Sequence, residues 1–239
     1  MNGGRPTGNR VLDRLPDDQL ESLVPRLTPE DLPVGTVLFE PGQPIEVVHF
    51  PLGGVISLVT ALLNGAVVEV ATIGNEGIVG VPMVLGQPSR AVRAISQVSG
   101  SAFGMDAEAF LDEVGRQPAF ADVVQRYTVA LFSQISQAAG CNRLHSNEER
   151  LSRWLLMSQD RVGKDDFAIT HEFLSQMLGS RPAAVTVSAG ILQQAGLISY
   201  RRGRLKVLDR EGLEGAACEC YRVIRDELDA VVWPPHQAD

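Results

Sequence analysis

The stretch Ile169–Ser188, ITHEFLSQMLGSRPAAVTVS, and its continuation Ala189–Asp209, AGILQQAGLISYRRGRLKVLD, decide how the rest of this chain is read. Together they predict two short helices around a tight turn, then a basic hairpin. Phe173, Leu174, Met177 and Leu178 recur at helical spacing, and Gly179 can take the positive φ that ends a helix. Pro182 can open the second helix, because its missing N–H costs nothing in a first turn. Val185, Ile191, Leu192 and Ala195 then supply an inward face at mixed three- and four-residue spacing. A helix of this kind, held across a partner helix, is a probe for the DNA major groove.

The charge balance looks wrong for such a role until it is divided. The formal net charge of the 239 residues is −8. Residues 1–149 carry all of that −8, and residues 150–239 are neutral overall. Within 181–210, Arg181, Arg201, Arg202, Arg204, Lys206 and Arg210 face a single acid, Asp209, for a local +5. Phosphate attraction acts over roughly a Debye length, about 8–10 Å at ordinary salt, so the local patch decides. The acidic first half should discourage contact with nucleic acid elsewhere. MNGGRPTGNR has no apolar core of a secretory signal, and no run approaches a membrane span of about 18 apolar residues. Cys141, Cys218 and Cys220 make no disulfide scaffold, so a reducing cytoplasm is expected.

Working back toward the N-terminus, residues 11–24 read as a short helical lead-in with Leu12, Leu15, Leu20 and Leu23. From Val34 to Met105 the texture is that of strands: TVLF, VVHF, VISLVTAL, AVVEVATI and AVRAISQV alternate with PGQP, PLGG, NG, GNEG and GQPS. Branched residues between such turns at short spacing indicate a compact antiparallel roll. Asn64-Gly65 is a hairpin signal because both positions tolerate positive φ. The segment Gly74–Arg93 could cradle an anion through backbone N–H groups, or simply join strands.

From Phe120 the pattern is helical. Phe120, Val123, Val124, Tyr127, Leu131, Ile135 and Ala138 recur at three and four residues over about five turns. Placed directly before a DNA-binding unit, this stripe is expected to pair with a second subunit; the plainer alternative is a helix lying against its own roll. Cys141–Asp165, CNRLHSNEERLSRWLLMSQDRVGKD, brings Leu151, Trp154, Leu155 and Met157 onto one side. Ser146 and Glu149 have capping-box spacing, which puts a hinge near Gly140–Ser146. His145 reads as structural or solvated.

In this order the pieces resemble the cyclic-AMP receptor protein and fumarate–nitrate regulator (Crp/Fnr) family of bacterial transcription regulators, from about Leu12 to about Asp209. VLFEPGQPI, VVHFPLGGVISLV and EGIVGVPMVLG carry the resemblance in the roll, and 169–209 carries it most specifically. CNRLHS, ERLSRWLL and CECY are similar to one branch of the family. The resemblance implies an α+β chain: an antiparallel, jelly-roll-like β-roll at 11–118, a long central dimerisation helix at 119–144, a winged helix-turn-helix at 145–222 and a tail at 223–239. It implies a homodimer reading a palindromic site in double-stranded DNA through the helix at about 182–195. RNA polymerase and an unknown small-molecule effector are further expected partners. Arg181, Ala183, Thr186 and Val187 fall at the base-reading positions. Arg201, Arg202, Arg204 and Lys206, with Ser175 and Gln176 beside the turn, fall on phosphates. Ala183 and Val187 offer thymine methyls an apolar contact and Thr186 offers one hydrogen bond. Much of the recognition is therefore expected from backbone contacts and DNA shape.

The effector region, Gly80, Val81, Ser89 and Arg90, departs from the cyclic-nucleotide-binding relatives. Val81 stands where they place a Glu for the ribose and Pro88 where they place an Arg for the phosphate, so a cyclic nucleotide is disfavoured. Arg90 should point to the other side of its strand. No cofactor and no metal are expected. An iron–sulfur cluster would need more thiols than three, the Cys218-x-Cys220 pair lacks further ligands in sequence, and His49, the sole roll histidine, sits in an apolar strand. An enzyme has no constellation to name: the histidines are scattered, and no HExxH, nucleophile elbow or phosphate loop occurs. The rival to a regulator is a non-enzymatic dimeric protein-interaction module whose 181–210 patch meets a protein instead of DNA.

Overall fold

The computed structural model describes residues 7–63, 65–86 and 90–232. A 3-10 turn, Leu12–Arg14, and helix α1, Asp17–Leu23, lead in. Asn9 fixes their position. Its Oδ1 accepts from the N–H groups of Val11 and Leu12, while its Nδ2 donates to the carbonyls of Pro51 and Gly77.

The roll follows in strands β1 (Thr28–Leu32), β2 (Val37–Phe39), β3 (Val47–Pro51), β4 (Val55–Ala61), β5 (Val67–Ile73), β6 (Arg93–Val98) and β7 (Gly100–Asp106). They pair antiparallel in two sheets ordered β1-β7-β3 and β2-β6-β4-β5. β1, TPEDL, lacks the alternation of a strand and was not expected. It lies at a sheet edge, where Pro29 can go without donating to a ladder. The β4–β5 turn has Gly65 at φ +81, while Asn64 lies outside the described residues.

Asp106 caps α2 (Ala107–Arg116) by accepting from the N–H groups of Glu108 and Ala109, both at 3.0 Å. Then comes the 27-residue α3 (Pro118–Leu144). Here one expectation is corrected. Phe120, Val123, Val124, Tyr127, Leu131 and Ala138 are buried, and Ile135 half-buried, within their own chain. Phe120 stacks edge-on against Phe110 of α2, with centroids 5.5 Å apart, and tilts against Phe50 of β3. The roll's own open face claims this stripe, so it cannot also meet a second subunit. The face α3 turns to solvent bears Val129 and Phe132, 63% and 71% exposed.

α4 (Asn147–Val162) starts on a complete capping box. Ser146 Oγ accepts from Glu149 N–H, and the Glu149 carboxylate accepts from Ser146 N–H at 2.8 Å. The second domain continues through β8 (Asp166–Ala168), α5 (His171–Met177), α6 (Pro182–Gln194), β9 (Ile198–Arg201), β10 (Arg204–Val207), α7 (Arg210–Ala216) and α8 (Cys220–Val232). Its strands form a small sheet ordered β8-β10-β9. The tail boundary expected after 222 falls inside α8, which packs along α3.

Polar groups hold α4 to the roll. Arg161 pairs with Glu76 at 2.7 Å, both buried, and donates to the Thr72 carbonyl. Trp154 Nε1 donates to Glu69 of β5 at 3.1 Å. Gly74 and Gly77 are small because Arg161 and Tyr127 occupy the places where their Cβ atoms would go. That close approach accounts for the glycines of this loop without an anion.

Candidate nucleic-acid interface

Thr170 caps α5, its Oγ1 accepting from Phe173 N–H at 3.2 Å. Gly179 ends the segment at φ +57, and α6 starts with Pro182 in its first turn. A Cβ on Gly179 would stand 3.0 Å from Val68 of β5, so the turn rides directly on the roll. Inward from α6 point Val185, Ser188, Ala189 and Leu192, all buried. Ile191 and Ala195, expected inward, are exposed instead. The 185, 188, 189, 192 spacing closes the face, and Ile191 lies a quarter-turn round from Leu192.

Arg181, Ala183, Thr186 and Val187 all lie on the exposed side of α6. The Thr186 hydroxyl is already engaged: it donates to the Pro182 carbonyl and lies 3.0 Å from His171 Nδ1. The His171 ring stacks on Tyr200 of the wing, centroids 4.3 Å apart and planes within 12°. Tyr200 OH donates to the Ile169 carbonyl at 2.8 Å. His171 thus joins the reading helix to the wing, and burial lowers its pKa, favouring the neutral ring. Sequence reasoning missed this role; the aromatic at position 200 was its one visible sign.

In the wing, Arg201, Arg202, Arg204 and Lys206 are exposed. Arg202 and Gly203 make a two-residue loop, both with positive φ (50° and 74°), as a type I′ hairpin requires. Arg204 lies 3.0 Å from Asp166. Arg210 drops out of the patch: it pairs with Asp160 at 2.8 Å and Glu214 at 3.1 Å. Gln176 is exposed, but the expectation for Ser175 is corrected. Ser175 is buried, and its hydroxyl donates to the Glu172 carbonyl one turn back, which leaves it no reach to a phosphate.

In the roll, Gly80 (φ +112) leads into a 3-10 turn, Val81–Leu85, with Val81 buried. Pro88 and Ser89 lie outside the described residues, and Arg90 is exposed ahead of β6. Beneath the turn is a cavity of about 160 Å³ lined by Phe39, Leu58, Ile73, Val81, Leu131 and Ile135, among other apolar residues. Among the described residues, its wall holds no charged or hydrogen-bonding side chain.

Residues 29–117 match the cyclic nucleotide-binding domain family, and residues 149–216 match the Crp-like helix-turn-helix domain family. This chain belongs to the Crp/Fnr family. Solved structures share the fold at low identity. A putative Crp/Fnr regulator from Eubacterium rectale is 16% identical, with a TM-score of 0.69 over 88% of this chain and 99% of its own. FixK2 from Bradyrhizobium japonicum is 15% identical, with a TM-score of 0.69 over 80% and 98%. A CRP-family transcriptional regulator from Thermus thermophilus is 17% identical, with a TM-score of 0.64 over 80% and 99%. Among curated proteins no sequence matches. As a Crp/Fnr member the chain is a DNA-binding transcription regulator and not an enzyme. No helix among the described residues is long and apolar enough to cross a membrane.

One gathering in the second domain went unforeseen. Cys141 and His145, at the end of α3, meet Cys218 and Cys220, at the start of α8. The expectation that Cys218 and Cys220 lack further ligands is thereby corrected. The i, i+4 spacing of Cys141 and His145 was visible in sequence, but their meeting with Cys218 across 77 residues was not. The thiols share a proton unevenly: hydrogen bonding with Cys218 pulls Cys141 down and pushes Cys218 up.

Proposed function

We propose that this Crp/Fnr protein works as a homodimer that reads a palindromic DNA site. α6 enters the major groove with Arg181, Ala183, Thr186 and Val187 toward the base edges. Arg201, Arg202, Arg204, Lys206 and Gln176 grip the sugar–phosphate backbone. The observation that carries this reading is the exposure of the reading positions on α6 together with four cations on the neighbouring wing. Dimerisation uses the solvent face of α3 around Val129 and Phe132, not the stripe that packs on the roll. Contact with RNA polymerase turns DNA occupancy into a change in transcription.

The roll takes no cyclic nucleotide. The larger cavity beside β1, β2 and β3, about 440 Å³, is walled by Glu30, Asp31 and Glu46, which repel a phosphate. The one beneath the 81–85 turn is apolar and, at about 160 Å³, well below the several hundred Å³ typical of a ligand pocket. A phosphate there would be left without donors. An effector for this cavity is small and uncharged, acting by shifting the spacing of the two reading helices.

Selection of bound duplexes from a random pool by the purified protein tests the reading. The recovered sequences should share a twofold-symmetric motif with half-sites about one helical turn apart. Recovery of duplexes with no common sequence sinks it. Replacing Thr186 should relax preference at one position, whereas removing Arg202 should weaken all duplexes alike and lower the salt slope by about 1.

A further inference from the structure

We propose that Cys141, His145, Cys218 and Cys220 form a tetrahedral site for a single thiophilic divalent ion of the zinc class, clipping α8 to the end of the central helix. The four candidate ligand atoms, three Sγ and one imidazole nitrogen, lie within 4.8 Å of one another. Cys141 Sγ and Cys218 Sγ are 3.6 Å apart, and Cys220 Sγ is 3.5 Å from His145 Nδ1. An ion bound at about 2.3 Å to sulfur and about 2.0 Å to nitrogen holds tetrahedral ligands about 3.8 Å (sulfur–sulfur) and about 3.5 Å (sulfur–nitrogen) apart. These two spacings fit a mononuclear site, and all four ligand atoms fall within 4.8 Å. A sulfide-bridged cluster interposes several atoms between its thiolates and would spread them further.

Three surrounding features point the same way. His145 Nε2 lies 3.2 Å from the Glu219 carboxylate, which accepts a hydrogen bond from the Nε2–H and leaves the Nδ1 lone pair aimed at the sulfurs. That is the carboxylate–histidine pairing that orients a metal-bound imidazole. Gln137, one turn before Cys141 on α3, donates its amide N–H to Cys220 Sγ at 3.1 Å, a bond a thiolate accepts better than a thiol. Arg150 is buried with no carboxylate in ion-pair range among the described residues; it donates instead to Asn142, Asn147 and the Leu178 carbonyl. Three thiolates and one divalent ion carry a net charge of −1, which the Arg150 guanidinium, acting on Cys141 and Cys218, balances.

The ligands come from both sides of a joint. Cys141 belongs to α3, His145 follows its last residue, and Ser146 caps α4. Cys218 and Cys220 come after the wing and α7. An ion here ties the segment after the wing back to the central helix across the Leu144–Ser146 bend, setting the angle at which the DNA-binding domain leaves it.

Titration of the reduced full-length protein with Co²⁺ as a spectroscopic stand-in tests the site. We expect one Co²⁺ per chain, a near-ultraviolet thiolate-to-metal band, tetrahedral visible bands, and displacement by Zn²⁺. The Cys218→Ser/Cys220→Ser double variant should lose the near-ultraviolet band. Because that variant could unfold, Glu219→Gln provides the second arm: its side chain is exposed, and it should bind the ion about 10- to 100-fold more weakly with unchanged circular dichroism. Absence of the thiolate band in the reduced protein, or a band unchanged in the double variant, overturns the site. So does a reduced protein that ignores Co²⁺ yet forms a Cys141–Cys218 disulfide under mild oxidant, which would make the cluster a redox pair.

Discussion

Asp166 stands 3.0 Å from Arg204 and takes part of the charge this arginine would offer to a phosphate. Asp166→Asn is therefore expected to tighten binding to any duplex about 2- to 5-fold at low salt, the equivalent of about 0.5–1 kcal/mol, with the gain fading as salt rises. Fluorescence anisotropy on two unrelated duplexes checks this, and a gain confined to one of them would remove Arg204 from the backbone. Glu69 carries a different kind of prediction. Burial raises its carboxyl from the ordinary value to about 7, against the opposing hydrogen bond from Ser57 and the nearby Arg153 and Arg161 charges. The unfolded chain releases this proton near pH 4.5, whereas the native chain keeps it until about pH 7. The stabilisation is thus complete below pH 4.5 and is lost as pH rises through that window, on the order of 3 kcal/mol. Glu69→Gln keeps one acceptor, for Trp154, and turns an amide N–H toward the Ser57 hydroxyl. It should flatten the pH dependence of urea unfolding between about pH 5 and 7, and an unchanged slope would mean the carboxyl is already ionised. At this scale the exposure of Arg181, Ala183, Thr186 and Val187 was legible, whereas Ile191 and Ala195 were assigned to the wrong side of α6. Ser175 was not legible, since helical spacing places a side chain on a face without saying what a neighbouring carbonyl does to its hydroxyl.

The two faces of α3 make the clearest contrast between elements. A periodic apolar stripe announces burial but does not name the surface that buries it, and the roll's Phe50 and Phe110 had first claim on Phe120. Phe120→Ala should cost about 3–5 kcal/mol of stability in denaturant titrations. Phe132→Asp, on the solvent face, should leave stability within about 0.5 kcal/mol and convert dimer to monomer in sedimentation. A dimer that survives Phe132→Asp would remove this face from the interface. The other elements were legible in proportion to their local chemistry. The capping box at Ser146 and the turn at Gly179 could be placed from a few residues. Strand β1 could not, because an edge strand holding Pro29 and two acids owes its form to β7 beside it.

Across the whole molecule, the roll and the DNA-binding domain are bolted together by Arg161–Glu76 and Trp154–Glu69, while the Gln134 amide on the Thr72 carbonyl ties the central helix to the roll. Breaking a buried ion pair from one side costs about 3–5 kcal/mol, and Glu76→Gln should lower stability by that order. With Trp233 replaced by Phe so that Trp154 reports alone, fluorescence and far-ultraviolet circular dichroism should unfold together; separate transitions there would mean that the joint does not couple the halves. The order of domains was legible because each has its own periodicity, but the joint was not, since its partners lie 85 residues apart. The bare α-carbon of Gly179, resting on Val68, gives this architecture a mechanical corollary. A tilt of the β5 hairpin is expected to pass straight to the first turn of α6, three positions on, with no messenger loop between. Drift at position 68 should then surface as a changed choice of operator in a protein that melts where it always did.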